Sequence, residues 1–119
     1  TDDMRDAKSL EIIERLVQSG ATVRAYDPIA IDKTKELIPE SESVQYCENA
    51  YETAKGADAV VLVTEWNEFK FLNLERLKET MAGTVLYDGR NLYDPVRMKR
   101  LGFDYHCIGR SPLATLNRQ

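Results

Sequence analysis

The chain reads as an α/β protein, a Rossmann-like doubly wound parallel sheet in three layers. Three observations lead there. Strand-like and helix-like periods alternate along its length, the pattern of βαβ units with right-handed crossovers. The segment Ala57-Asp58-Ala59-Val60-Val61-Leu62-Val63-Thr64 is apolar without alternation, as in a central parallel strand covered on both faces. Asp-Pro recurs as Asp27-Pro28 and Asp94-Pro95, each time just past a β-prone run, where it signals a helix start.

In chain order, Thr1–Asp6 is expected to be a polar loop. It leads into a helix bearing Leu10, Ile13, Leu16 and Val17 at helical spacing, closed by Gly20. Glu11 and Arg15 form an i,i+4 pair on its wet face. Ala21–Tyr26 is a strand, and the helix after Asp27-Pro28 carries Ile31 and Leu37 before stopping near Pro39. A polar loop over Glu40–Ser43 precedes a short strand, Val44–Cys47. Asn49 with Glu52 suggests a capping box for a short helix ending at Gly56. After the apolar strand, Glu65–Phe69 reads as a loop, and Asn73 caps a helix with Leu74, Leu77 and Met81, closed by Gly83. Val85–Asp88 is a buried strand, Gly89-Arg90 a loop, and Asp94-Pro95 opens a helix reaching Leu101. A last strand surrounds Tyr105–Ile108, Gly109–Pro112 ends the fold, and residues 111–119 are expected to form a flexible tail.

A doubly wound sheet ordinarily begins with a strand, whereas this chain begins with loop and helix. The expectation is that a first strand is missing ahead of Thr1, leaving a gap between the Val23 and Val61 strands. At 119 residues the chain is read as one domain. Hydrophobic residues at 43% and charged residues at 30% are ordinary for a globular protein. The net charge of −4, with no Lys/Arg cluster, argues against a nucleic-acid partner. No apolar run approaches the ~20 residues of a membrane span. No secretory leader is visible, although the first residue is not Met, and a cytoplasmic location is the default. Cys47 and Cys107 make neither a disulfide framework nor a zinc site and read as buried reduced thiols. No metal is expected.

Ligands of open α/β sheets bind beyond the carboxyl ends of the strands. Arg5 and Arg90 both fall on loops expected at that edge, where guanidinium groups suit a phosphorylated ligand or simply face solvent. Asp27 stands where a dinucleotide fold places its ribose-binding acid, but Pro28 favours a capping role. His106 lies within a strand, has no identifiable cysteine or serine partner for catalysis, and reads as structural. Asp88 is either a functional acid or ordinary turn chemistry before glycine. Trp66 and Phe69 favour packing over base stacking. No Ser/His/Asp set, metal spacing or phosphate-binding glycine loop is present, so no catalytic residue is assigned.

Several stretches together resemble the C-terminal UDP-binding domain of the UDP-glucose/GDP-mannose dehydrogenase family, in particular bacterial UDP-glucose 6-dehydrogenases. They are Thr1-Asp2-Asp3-Met4-Arg5-Asp6-Ala7, Tyr26-Asp27-Pro28, Ala57-Asp58-Ala59, Val63-Thr64-Glu65-Trp66 and Asp88-Gly89-Arg90-Asn91-Leu92-Tyr93-Asp94-Pro95. Gly102-Phe103 and Ile108-Gly109-Arg110 complete a match that runs in order over nearly the whole chain. The resemblance implies an NAD-dependent enzyme that oxidises the C6 hydroxyl of UDP-glucose, or a related nucleotide sugar, to a carboxylate in two steps. It implies that Arg90 contacts the nucleotide sugar and that Arg5 reaches toward NAD, which is held mainly by an N-terminal domain. It also implies a homodimer of the full-length enzyme, with the rest of the dehydrogenase chain as partner. The catalytic cysteine of such enzymes lies in preceding domains, and neither Cys47 nor Cys107 stands in its context. This chain is therefore not expected to catalyse alone. Lys8 departs from the proline of many relatives, and a Phe-Lys pair that usually precedes Thr-Asp-Asp is absent. The alternative is a free-standing Rossmann-like nucleotide- or partner-binding module without catalysis.

Overall fold

The computed structural model describes residues 2–108, with side chains from residue 8 onward. Six helices and five strands alternate along them, and every strand pair is parallel. The strands overlap the expected segments but form two sheets, one of two strands and one of three, rather than the single sheet that the sequence suggests. The chain divides accordingly into two compact units, residues 1–53 and 54–119.

In the first unit, α1 spans Asp2–Gln18. The loop expected over Thr1–Asp6 is thus helical from Asp2, and Arg5 belongs to a helix rather than a loop. The residue types are compatible with this: Met4, Arg5 and Ala7 are good helix formers. Of the helical stripe, Ile13 is buried. Gly20 sits at φ 94°, where Ala21 N–H reaches back to Leu16 O and Gly20 N–H to Val17 O, each at 3.0 Å. This paired closure requires a left-handed residue, which glycine supplies without strain.

Helix α1 packs on β1 (Val23–Ala25), which pairs with β2 (Val44–Tyr46) in the register Val23↔Val44. Between them lies α2 (Ile31–Leu37). Asp27 Oδ1 accepts from the N–H groups of Ile29 and Ala30 at 2.7 and 2.8 Å, so a turn intervenes before the helix begins. Asn49 Oδ1 accepts from Glu52 N–H at 2.8 Å and caps α3 (Ala50–Ala54), which ends at the boundary of the second unit.

The second unit carries β3 (Ala59–Leu62), α4 (Asn67–Lys70), α5 (Leu74–Thr80), β4 (Val85–Asp88), α6 (Pro95–Arg100) and β5 (Asp104–Cys107). The sheet order is β3-β4-β5, with Leu62 opposite Asp88 and Asp88 opposite Cys107. Part of the loop expected over Glu65–Phe69 is a short helix, α4, because Phe69 turns inward and is buried. Asn73 caps α5 by accepting from Arg76 N–H at 3.0 Å. Asp94 caps α6 by accepting from Val96 N–H at 3.2 Å, with Pro95 in the first helical turn. The core consists of Leu62, Phe69, Leu74, Leu77, Met81, Leu86, Tyr93, Met98 and Phe103.

The Val61 strand is not covered on both faces. Burial alternates along β3 and β4, leaving Val61 41% and Tyr87 48% exposed while Leu62, Leu86 and Asp88 are buried. Being apolar throughout, the sequence of β3 cannot reveal which of its faces lacks a cover. Nor is β3 a central strand: among the described residues it pairs with β4 alone, and no ladder joins it to β1. The expected end of the fold at Gly109–Pro112 and the tail at 111–119 lie outside the described residues.

Candidate functional site

The carboxyl ends of β3 and β4 lie side by side, and Gly89 N–H donates to Leu62 O at 2.8 Å just past the last ladder pair. A side chain at position 89 would meet that carbonyl, since a Cβ there would lie 2.9 Å from it. Glycine thus lets the two strand ends stay close as they open into loops. One loop begins with Thr64-Glu65-Trp66, the other with Gly89-Arg90-Asn91, and the parallel register makes them neighbours.

Asp88, 1% exposed, organises the second loop. Its Oδ1 accepts from Arg90 N–H at 2.9 Å. Its Oδ2 accepts from Leu92 N–H at 2.7 Å and Tyr93 N–H at 3.0 Å. From β5, the Tyr105 hydroxyl donates to the same Oδ2 at 2.6 Å, with Tyr93 O also near at 3.1 Å. A buried carboxylate is costly unless its lone pairs are filled, and these four donors fill them. Asp88 therefore serves turn chemistry, extended to anchor the whole loop. The chain reverses at Asn91, whose φ of 55° is left-handed, a conformation asparagine tolerates better than most residues. Tyr93 then runs inward, and its hydroxyl donates to Phe69 O at 2.5 Å, tying this loop to α4.

With its backbone held in this way, Arg90 extends its side chain to the neighbouring loop. Its Nη2 donates to Glu65 Oε1 at 2.6 Å, and the side chains of Arg90 and Glu65 are 38% and 46% exposed. The result is a half-exposed guanidinium at the carboxyl edge of a parallel sheet, on an anchored loop. A planar fork of N–H donors so placed can bind phosphate or sugar oxygens bidentately.

Arg5 lies on α1 of the first unit, and its side chain is outside those described. Asp27 closes a turn by accepting from Ile29 and Ala30 rather than capping α2 itself, which starts at Ile31 with Ala30 as its N-cap, so the helix begins later than the Asp-Pro pair suggested. His106 lies on the open face of the second sheet, 3.1 Å from Asp104 and stacked on Tyr87 with ring centroids 4.8 Å apart. Cys47 is a buried free thiol, while Cys107 is only partly buried. Among the described residues no three His, Cys, Asp or Glu side chains gather where a metal could sit, and no helix is long and apolar enough to cross a membrane. Glu65 is the site residue that sequence reasoning passed over. Its signal was its place after the apolar strand, at the position the register sets beside the Asp-Gly-Arg loop.

Residues 1–95 match the family model described as UDP-glucose/GDP-mannose dehydrogenase family, UDP binding domain. The chain is 42% identical over 113 residues to a UDP-glucose 6-dehydrogenase of Pseudomonas aeruginosa, an alignment covering 92% of this chain and 25% of that protein. It is 42% identical over 110 residues to the UDP-glucose 6-dehydrogenase of Rhizobium meliloti, covering 92% of this chain and 24% of the relative. The chain thus spans about a quarter of the length of the curated relatives it matches. Among solved structures, a UDP-D-ManNAc dehydrogenase from Pyrococcus horikoshii superposes with a TM-score of 0.51 at 23% identity, over 92% of this chain and 31% of that one, a likeness of fold. By its family match and by relatives at about 40% identity, the chain belongs to the UDP-glucose/GDP-mannose dehydrogenase family, as its UDP binding domain.

Proposed function

We propose that this chain is the nucleotide-sugar-binding domain of an NAD-dependent UDP-glucose 6-dehydrogenase, and that Arg90 contacts the diphosphate or sugar of the substrate. The observation that carries this reading is the placement of Arg90. Asp88 anchors its backbone while its guanidinium stands half-exposed at the carboxyl edge of the sheet. A contact of this kind needs a fixed backbone and an accessible fork of donors, and both are present.

In the complete protein these elements would belong to a doubly wound, three-layered sheet. That protein would act in the cytoplasm as a homodimer, oxidising UDP-glucose to UDP-glucuronate in two hydride transfers. The catalytic groups would come from the rest of the dehydrogenase chain, leaving these residues inactive alone. NAD supplies the hydride acceptor, but the residues of this chain do not fit it as a principal site. The sequence contains no G-x-G-x-x-G turn to cradle a pyrophosphate, so NAD is assigned to other domains, with Arg5 reaching toward it.

The test is steady-state kinetics of the full-length protein with UDP-glucose varied at saturating NAD. Arg90→Ala should raise KM by about ten- to a hundred-fold, the loss of one charge-assisted contact. An unchanged KM and kcat would remove Arg90 from the site.

A further inference from the structure

We infer that Glu65 is a positioning residue for Arg90, holding the guanidinium by one nitrogen so that its remaining donors face the ligand already ordered. This deepens the reading of Arg90 as a nucleotide-sugar contact and rests on it.

Glu65 and Arg90 are 25 residues apart in sequence, and the parallel register of β3 and β4 is what brings them together. Their single contact, 2.6 Å between Nη2 and Oε1, uses one edge of the guanidinium. Nε and Nη1 stay outside the pair, which leaves donors for a second partner. Arginine carries large rotamer freedom, and a ligand that must first order it binds more weakly than one that finds it ordered. Asp88 holds the backbone of Arg90 through its N–H, but that bond does nothing for the four side-chain torsions beyond Cα. Among the described residues, Glu65 is what constrains the side chain.

The opposite role, in which Glu65 masks Arg90 and competes with the ligand's phosphates, fits the geometry less well. A masking carboxylate would occupy the fork bidentately, whereas this one takes a single nitrogen. Both groups are also half-exposed, so solvent and salt weaken repulsion between Glu65 and a bound diphosphate. The positioning hydrogen bond, being short-ranged, survives screening better than the repulsion does.

The experiment measures UDP affinity by calorimetry, and KM and kcat for UDP-glucose, in the full-length protein. Glu65→Ala, Glu65→Gln, Arg90→Ala and the double Ala variant are compared with the parent. Glu65→Ala should weaken UDP binding about three- to ten-fold, with the kinetic loss falling on KM rather than kcat. Glu65→Gln keeps an oxygen acceptor and should recover part of that loss, which a merely structural defect would not do. In the Arg90→Ala background, Glu65→Ala should cost nothing further, because there is no guanidinium left to position. Unchanged or tighter UDP binding by Glu65→Ala, or equal losses with and without Arg90, overturns the inference while leaving the reading of Arg90 intact. A neutral Arg90→Ala overturns both. Should Glu65→Ala fail to fold, Glu65→Gln decides: a partial loss of affinity that vanishes in the Arg90→Ala background supports positioning, and no loss overturns it.

Discussion

The hydroxyl of Tyr105, on β5, donates to the buried carboxylate of Asp88 at the end of β4, 2.6 Å away. Through that bond the third strand of the sheet supports the loop that carries Arg90, since the same carboxylate also accepts from the N–H groups of Arg90, Leu92 and Tyr93. The geometry of the Arg90 loop and the stability of the sheet thus share one side chain.

Asp88→Ala should destabilise the protein by on the order of 3–4 kcal/mol, because it strands several donors at once in a water-poor site. Asp88→Asn, which retains one good acceptor but turns an NH2 group toward N–H donors, should cost about 2 kcal/mol. Urea denaturation monitored by circular dichroism measures both. A change below about 1 kcal/mol for the alanine variant would contradict the anchoring role.

Tyr105→Phe should cost about 1–2 kcal/mol, as expected for a hydrogen bond to a charged group. Its effect should be non-additive with that of Asp88→Asn, since the two groups are direct partners. A double-mutant cycle in urea tests this, and strict additivity would mean that the 2.6 Å contact carries no coupling.

Arg90→Lys should restore only part of the affinity lost in Arg90→Ala, because an ammonium cannot reproduce a planar fork. Neither substitution should change the unfolding free energy by more than about 0.5 kcal/mol, as expected for a half-exposed side chain outside the core. A collapsed thermal melt would instead assign Arg90 to structure.

At Gly83, a Cβ would lie 2.3 Å from Asp58 O, a backbone atom with no flexible chain to swing aside. Gly83 and Ala82 also both donate to Ala57 O, so the segment cannot drift away without losing those bonds. Gly83→Ala should therefore destabilise by about 1–3 kcal/mol through overpacking. Equal stability by chemical denaturation would show that the turn has slack.

Tyr46 titrates above the ordinary tyrosine value of 10.0, chiefly because burial disfavours the phenolate and secondarily because Glu40 repels it. Its hydroxyl also donates to Ile38 O, which only the protonated phenol can do. Folding therefore favours the protonated form. The resulting stabilisation is complete below the ordinary value and is lost as pH rises through the higher folded-state value. Melting temperatures followed from neutral to strongly alkaline pH should fall more steeply for the parent than for Tyr46→Phe. Parallel curves would show that the group does not contribute.

Much of this molecule is written locally. The approximate places of the five described strands, the Asn49, Asn73 and Asp94 caps, the Gly20 closure and the start of α6 at Pro95 follow from residue chemistry within a few positions. Arg90 was legible as a candidate because Gly89 and Asp94-Pro95 bracket it in a loop after a β-prone run. Some local readings missed. The Thr1–Asp6 segment is polar enough to look like a loop yet is helical from Asp2, the helix expected at Asp27-Pro28 begins only at Ile31, and part of the expected Glu65–Phe69 loop is helical from Asn67 because Phe69 is buried in the core.

What the tertiary structure alone decided is long-range. Asp88 is a loop anchor because Tyr105, seventeen residues later, comes alongside when β5 pairs with β4. Glu65 meets Arg90 because the parallel register of β3 and β4 sets two loop starts side by side. The division into two sheets, and the exposure of Val61 and Tyr87, likewise depend on which strands pair and which faces are covered. Hydrophobic period and turn chemistry act over a few residues and specify elements. Register and burial are properties of elements packed together, and no stretch of sequence carries them alone.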